Sequence, residues 1–301
     1  MFWSGSRESF ELGEGAAIAY SDIMLAAIAA ARSGDLEFLR TCELSPPGDE
    51  QGWVLRAAVD AGRAGVLRAL LEMGLDPDAR VEFANGGATW GMPLYACARM
   101  GKLEMAEMLL RRGADPNGQV YASGTPLSEA YGQRDEAMIA LLISYGGKPN
   151  ASMAGLYRRM DLAAALLEEH GEAALADDGF GAGPVAEQLL GAAAKGGDVE
   201  ILKLAMGRVS IPDGDARWHG LLRAPLGFWN HWYGPWCHLE WDRGSYLACF
   251  QLILEKSGPP VMVYPDGLTI LEAIAKMGDH VREEERAAFA AAVKAKMGER
   301  E

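Results

Sequence analysis

A segment of about 33 residues recurs along this 301-residue chain, and this repetition restricts the fold more than any other feature. The two clearest copies begin at Met92 and Thr125, which are 33 positions apart, and an earlier copy in the same register runs from Val54 to Asp78. Each copy reads as two short helices, which are too short to be stable alone in water. Only neighbouring copies can cover their apolar faces, so the sequence predicts a stack of repeats, that is, a solenoid.

Two columns of residues extend the repeat along the chain. With Gly101 as the anchor, the matching positions are Gly34, Gly62, Arg134, Met160, Gly197, Gly244 and Gly278. The residue seven positions before the anchor is apolar in every copy, and the residue four positions before it is small in five copies: Ala30, Ala58, Cys97, Ala130 and Ala193. Small side chains in this second column would let neighbouring helices approach closely. Together the columns predict about eight units.

The copies also carry residues that begin and end short helices. Thr125 is a good N-cap and Pro126 fits the first helical position, so a first helix is predicted to begin there. In the preceding copy, Gly101 ends the first helix, and a one-sided apolar stripe then indicates a second helix: Leu103, Ala106, Leu109 and Leu110. Gly113 suits a left-handed C-terminal cap, and residues 115–117 predict a turn.

These motifs resemble the defining stretches of the ankyrin repeat, and the similar segments are Gly124-Thr125-Pro126-Leu127, Gly101-Lys102-Leu103-Glu104 and Gly113-Ala114-Asp115-Pro116-Asn117. The resemblance is specific over residues 52–150 and weaker at residues 196–202 and 266–271. It implies an all-α fold, namely an ankyrin-type solenoid of stacked antiparallel helix pairs with projecting hairpin loops. It also implies that the loops and the inner helices line a concave face, which in this family usually binds proteins.

The sequence departs from the family pattern at several motif positions. Only Thr125 keeps the threonine of the Thr-Pro-Leu-His signature, and Tyr95 and Ser128 stand where the signature histidine would be. The copy near Met160 has a shortened second helix. We therefore expect the repeats to be regular between residues 52 and 150 and irregular toward both ends.

The spacing between anchors is uneven, and the two longest intervals show where extra chain projects. One contains the loop at residues 79–91, and the other contains residues 221–244, which hold four of the eight tryptophans. Trp and Tyr often anchor protein interfaces, because they bury a large area with few rotatable bonds. We predict partner contacts at Phe83, Trp90, Tyr121, Trp229, Trp232, Tyr233 and Trp236. The same rings could equally fill the gap left by a distorted repeat, as ordinary core residues do.

The tryptophan-rich segment at 221–244 and the residues just before it also suggest an alternative function, a metal-dependent enzyme or regulator centred on residues 219–238. His219, His231, Cys237 and His238 are all of types that bind zinc, although their spacing matches no known zinc motif. The family resemblance implies another role for His238, which falls where the ankyrin first helix carries a structural histidine. The leading interpretation therefore includes no metal site and no cofactor.

The charge of the chain restricts its partners. With 42 acidic and 28 basic residues the formal net charge is -14, which disfavours binding to nucleic acid or to anionic lipid. A protein partner with a basic or mixed surface is a better match, and one form of this function is an acidic inhibitor or immunity-type protein. The sequence contains no G-x-x-x-x-G-K-[ST], H-E-x-x-H or G-x-S-x-G motif, which argues against an enzyme.

Three further patterns favour a soluble protein of the cytoplasm. The four cysteines form no C-x-x-C pair and no dense framework. Glu8, Glu11 and Glu14 stand where a signal peptide would be apolar. No run approaches the roughly 18 to 20 apolar residues that a membrane span needs.

The two ends of the chain have different patterns. Residues 1–20 lack the repeat and fit a cap, a floppy arm or a segment that orders on binding. Residues 21–301 are expected to form a single ankyrin-repeat domain, in which the charged run at 282–286 begins a C-terminal capping helix. The leading hypothesis is a non-catalytic scaffold that binds a protein through its concave face and long loops. The repeats could also be the targeting module of a larger assembly.

Overall fold

The computed structural model describes residues 22–42, 51–79, 81–82, 88–89, 91–120, 124–171, 173–175, 182–227, 243–260, 263–277 and 281–298. These residues are mainly helical, so the fold is all-α, as the repeat pattern predicts. None of the helices within these ranges is both long and apolar enough to cross a membrane. By internal packing the chain divides into unit 1, Met1–Lys148, and unit 2, Pro149–Glu301. Because each repeat of a solenoid contacts only its neighbours, this division does not test the predicted single domain at residues 21–301.

Unit 1 is a row of helix pairs with one short hairpin. Its helices and strands are α1 (Asp22–Ser33), α2 (Leu36–Thr41), α3 (Gln51–Asp60), α4 (Ala64–Glu72), β1 (Val81–Glu82), β2 (Ala88–Thr89), α5 (Met92–Arg99), α6 (Leu103–Arg111), α7 (Pro126–Gln133) and α8 (Glu136–Ser144). The first helices of the pairs, α1, α3, α5 and α7, pack on one another in that order, and so do the second helices from α2 to α8. Strands β1 and β2 are antiparallel, with Val81 opposite Thr89.

Unit 2 continues with helix pairs of less regular length. Its helices and strands are α9 (Ala151–Leu156), α10 (Met160–His170), β3 (Ala174–Leu175), β4 (Gly183–Pro184), α11 (Val185–Gly196), α12 (Val199–Met206), α13 (Ala216–Leu221), α14 (Ala224–Gly227), α15 (Arg243–Lys256), α16 (Ile270–Ala275) and α17 (Glu283–Met297). Helix α11 packs on α9 and α14, and α12 packs on α10 and α15. The last helix, α17, covers the core through Phe289, whose ring meets the buried ring of Phe250 edge-on with centroids 5.1 Å apart.

Six of the helix pairs share one kind of turn between their two helices. The turn residue has a positive φ, and the amide that follows it donates a hydrogen bond to the carbonyl four residues before the turn residue. These bonds are 2.8 to 3.0 Å long and join Asp35 to Ala30, Arg63 to Ala58, Lys102 to Cys97, Asp135 to Ala130, Arg159 to Ala154 and Asp198 to Ala193. The pattern is the Schellman C-cap, which satisfies carbonyls at the end of the first helix. All six acceptor residues are small and buried, which confirms the small-residue column.

Two of the predicted anchors are wrong. The left-handed residue of the fifth pair is Arg158, whereas Met160 is the first residue of α10. This shift of two positions brings Ala154 into the small-residue column. Gly244 lies inside α15 and has no positive φ, so it does not end a helix. The last predicted anchor, Gly278, lies outside the described residues.

Arginine replaces glycine in two of the six turns. Arg134 and Arg158 both have a φ of 54°, a left-handed conformation that costs a residue with a Cβ about 1 to 2 kcal/mol. Arg158 donates hydrogen bonds to the Gly196 carbonyl at 3.0 Å and to Ser245 Oγ at 2.9 Å. Its guanidinium carbon also lies 5.9 Å from the ring centroid of Tyr246. Arg134 is exposed, so its side chain gains much less from packing.

Helices α9 and α11 are in contact through their backbones. A Cβ on Gly155 would overlap the backbone of Ala192, and a Cβ on Gly196 would overlap the carbonyl oxygen of Gly155. Only glycine fits at either position while the two helices keep this spacing. The contact therefore fixes how the first helices of two consecutive repeats pack in unit 2.

Candidate partner-binding face

All seven predicted contact residues lie outside the part of the chain that the structure describes. They are Phe83, Trp90, Tyr121, Trp229, Trp232, Tyr233 and Trp236. Their role in binding therefore stays a prediction. The described residues around the first three show how the loops of unit 1 are supported.

The β1–β2 hairpin of unit 1 rests on an apolar cluster of five residues. Val81 of β1, Met92 and Tyr95 of α5 and Val120 of the following loop are buried together, and Trp53 of α3 packs against them. We call these five residues the hairpin-base cluster. Val81 is fully buried, whereas Trp53 is only partly buried. Trp53 therefore leaves part of a large aromatic residue accessible to solvent at the base of the hairpin.

A hydrogen-bonded chain extends the hairpin-base cluster to the next repeat. The hydroxyl of Tyr95 donates to Oε2 of Glu129 on α7 at 2.9 Å, and Nε2 of Gln133 donates to Oε1 of the same carboxylate at 3.1 Å. Tyr95 is buried, and a buried tyrosine hydroxyl requires a polar partner. The tyrosine at the signature histidine position therefore joins α5 to α7.

The other replacement of the signature histidine acts within its own helix. Ser128 and Thr125 form a capping box at the start of α7. The Ser128 amide donates to Thr125 Oγ1 at 3.1 Å, and the Thr125 amide donates to Ser128 Oγ at 2.9 Å. This geometry confirms the predicted N-cap at Thr125 and the predicted first helical position at Pro126.

A comparison with protein families identifies one of the repeats of unit 1. The family described as "Ankyrin repeat" matches residues 92–119. This segment is an ankyrin repeat. It comprises α5, α6 and most of the loop after them, and it contains two members of the hairpin-base cluster, Met92 and Tyr95. A search of curated proteins found no match for the chain.

Basic side chains connect neighbouring ankyrin-like repeats by donating hydrogen bonds to helix-end carbonyls. The donors and acceptors are Arg63 Nε to Arg32 O at 3.1 Å, Lys102 Nζ to Asp60 O at 3.1 Å, Arg112 to Leu71 O at 2.6 Å and Arg158 Nε to Gly196 O at 3.0 Å. A cation at the C-terminal end of a helix is also favoured by the helix dipole. Several basic side chains of this acidic chain therefore make contacts between repeats.

The one described member of the predicted zinc-binding group is His219, which lies on α13. Its ring is buried and stacks on Tyr264 with centroids 4.9 Å apart, and the Tyr264 hydroxyl donates to the His219 carbonyl at 3.0 Å. The guanidinium of Arg223 covers the ring of Tyr264 at 4.9 Å and pairs with Asp266 at 2.7 Å. Burial raises the pKa of Tyr264. These contacts give His219 a packing role in unit 2.

The metal hypothesis for residues 219–238 is otherwise untested. His231, Cys237 and His238 lie outside the described residues. Among the residues that are described, no group of three or more His, Cys, Asp or Glu side chains is placed to hold a metal ion. Burial raises the pKa of Cys97 and of Cys249 to about 12, so these two thiols are not nucleophiles at neutral pH.

Sequence reasoning missed the two aromatic residues that the structure brings together in the hairpin-base cluster. Trp53 precedes the copy that begins at Val54, and its position in the chain does not reveal that a hairpin about 30 residues later packs on it. The repeat pattern identifies Tyr95 only as a replacement of the signature histidine. The available signal was that both residues are large aromatics on consecutive first helices of the regular copies.

Proposed function

We propose that the protein is a non-catalytic scaffold that binds another protein through its hairpin loops and the inner helices beside them. The observation that carries this proposal is the partly exposed Trp53 on the hairpin-base cluster, beside an ankyrin repeat. Ankyrin repeats typically serve as protein-interaction modules. The rings predicted to make contact at Phe83 and Trp90 belong to the loop that this cluster supports.

The charge of the chain supports a partner with a basic or mixed surface. The formal net charge is -14, and several of the basic side chains are used to join repeats to each other. An acidic surface attracts a basic one over a range that salt screens. An acidic inhibitor or immunity-type protein of the cytoplasm is one form of this proposal, supported by the charge alone.

A photo-crosslinking experiment can test this binding face directly, by comparing a probe on the face with a probe placed elsewhere on the protein. We would place a photo-crosslinking phenylalanine derivative at Trp53 in the full chain, and at Leu103 in a matched control. Leu103 is a large apolar residue at the start of α6 and is 40% exposed. It follows the turn at Gly101, at the end of the helix pair away from the hairpin. Both proteins would be expressed in the native cell and irradiated.

We expect the derivative at position 53 to give a discrete crosslinked protein that mass spectrometry identifies, and the derivative at position 103 not to give it. The same product from both positions would contradict binding at the hairpin side. Absence of any product from position 53, with an unchanged helical circular-dichroism spectrum, would also count against the proposal.

A further inference from the structure

Side chains at one position of the repeat join the loops of successive repeats in unit 1. At Asn117 the connection between two loops consists of two hydrogen bonds, and we call such a connection a joint. Its Nδ2 donates to the Gly146 carbonyl at 3.0 Å, and its Oδ1 accepts a hydrogen bond from the Lys148 amide at 2.8 Å. The amide side chain thus uses one donor and one acceptor, and both are satisfied by the next loop.

Asp78 occupies the same position one repeat earlier, because Gly74-Leu75-Asp76-Pro77-Asp78 aligns with Gly113-Ala114-Asp115-Pro116-Asn117. Its Oδ2 accepts from the Asp115 amide at 2.7 Å, as Asn117 Oδ1 accepts from Lys148. Its Oδ1 is buried and has no hydrogen-bond partner among the described residues. At this atom an ionised carboxylate offers an acceptor where asparagine offers a donor.

The charged groups that face Asp78 within the described residues are both acidic. Asp76 lies on its own turn and Asp115 on the loop packed against it. The start of α5, which is also close, contributes the uncharged Gly91, where an added Cβ would lie 3.8 Å from Asp78 Oδ1. Burial is the largest cause that raises the pKa of Asp78, and the two carboxylates add to it. The hydrogen bond from the Asp115 amide acts in the opposite direction.

We propose that the joint between the loops at Asp78 and Asp115 is sensitive to protons, looser when Asp78 is charged and tighter when it is protonated. Protonation removes a charge that faces two other carboxylates and turns an oxygen without a partner into a hydrogen-bond donor, as in Asn117. The joint lies at the root of the β1–β2 hairpin, between the end of the loop at Asp78 and the start of α5 at Gly91. Proton binding therefore changes the stability of the contact between the two loops at the base of the hairpin.

The sign of the pH dependence follows from the raised pKa of Asp78. A carboxyl that binds its proton more tightly in the folded state than in the unfolded state stabilises the fold most at low pH. That stabilisation is present below the unfolded pKa and is lost as the pH rises through the folded pKa. Above the folded pKa, Asp78 is charged in both states, and the folded protein retains the cost of its unpaired oxygen.

The test compares full-length wild type with Asp78→Asn, which is close in shape and places a hydrogen-bond donor at this position. Thermal unfolding at about pH 7 should show a Tm higher by about 2 to 4 °C for the variant. The difference should shrink as the pH falls through the pKa of Asp78, because the wild-type side chain then becomes a donor as well. Because the test uses the difference in Tm between the variant and wild type, the pH dependence due to other carboxyl groups cancels. Asp161, whose pKa is lowered by Arg159, is one such group.

The reverse substitution at the equivalent position of the next repeat tests whether the pH-dependent change in stability belongs to this position of the repeat. Asn117→Asp should lower the Tm at about pH 7 by a similar 2 to 4 °C or so, and the loss should recover as the pH falls. Protection of the Asp115 amide from hydrogen exchange should rise in Asp78→Asn. The proposal is overturned if Asp78→Asn is no more stable than wild type at neutral pH, or if its advantage does not change with pH.

Discussion

Arg134 and Arg158 occupy the same left-handed position in two copies of the turn, and they differ in what their side chains contact. Both have a φ of 54°. The guanidinium of Arg158 is held by the Gly196 carbonyl, Ser245 and the ring of Tyr246. Arg134 is exposed and caps α7 through its backbone amide. The same conformational cost is therefore offset by side-chain contacts at one position and not at the other.

Replacement by glycine should have opposite effects on stability at the two arginine positions. Arg134→Gly should raise the free energy of unfolding by about 1 kcal/mol, because glycine adopts this conformation without strain. Arg158→Gly should lower it, because two hydrogen bonds and a ring contact are lost at the same time as the strain. Chemical denaturation of both variants would measure these differences. Stabilisation by both replacements would mean that the contacts of Arg158 contribute little.

At the scale of elements, the contact between α9 and α11 depends on glycine rather than on interlocking side chains. Gly155 and Gly196 place the two backbones so close that a Cβ at either position would overlap the facing helix. Gly196 in α11 thus has a packing reason in spite of the cost of glycine to helix stability. The equivalent first helices of unit 1 instead bury residues that have side chains, such as Ala58 and Cys97.

We predict that Gly155→Ala destabilises the protein by about 3 kcal/mol, because the helices must move apart to admit one methyl group. Gly65→Ala is the matched control, since Gly65 lies in α4, is exposed, and would have no atom within 4 Å of an added Cβ. This control should be stabilising by about 0.5 to 1 kcal/mol, as expected for alanine in a helix. Equal effects of the two substitutions on the denaturation midpoint would refute the close contact.

The regular elements of the fold were predictable because local residues determine them. Left-handed glycines end helices in the predicted places at Gly101 and Gly113, and Thr125 begins α7 with a capping box. The fifth turn was misplaced because its left-handed residue is Arg158, which nothing in its residue type distinguishes from other arginines. Gly244 was misassigned because glycine also occurs within helices, as it does in α15.

The candidate site was less predictable than the fold because it depends on contacts between distant segments. The exposed fraction of Trp53 is set by a hairpin and a loop that belong to later repeats. The hydrogen bond from Tyr95 to Glu129 joins residues 34 positions apart. Neither contact has a local sequence pattern. The seven residues predicted to bind a partner lie outside the described part of the chain, so that prediction is untested.

At the scale of the whole molecule, an acidic chain of short helix pairs uses some of its basic side chains for contacts between repeats. Lys102 and Arg112 both donate to carbonyls of an earlier repeat. The formal charge of -14 supports the proposal of a partner with a basic or mixed surface. Repeats supply the framework, and the hairpin-base cluster with its loops supplies the proposed contact.

The affinity of Trp53→Ala for the partner identified by crosslinking tests this account most directly, with Leu103→Ala as the control. We predict that the Kd rises at least about tenfold for Trp53→Ala, as for a buried aromatic anchor, and stays within about twofold of wild type for Leu103→Ala. Circular dichroism should show both variants folded at the temperature of the measurement, and binding of wild type should weaken as salt increases. An unchanged Kd for folded Trp53→Ala would contradict binding at the hairpin-base cluster.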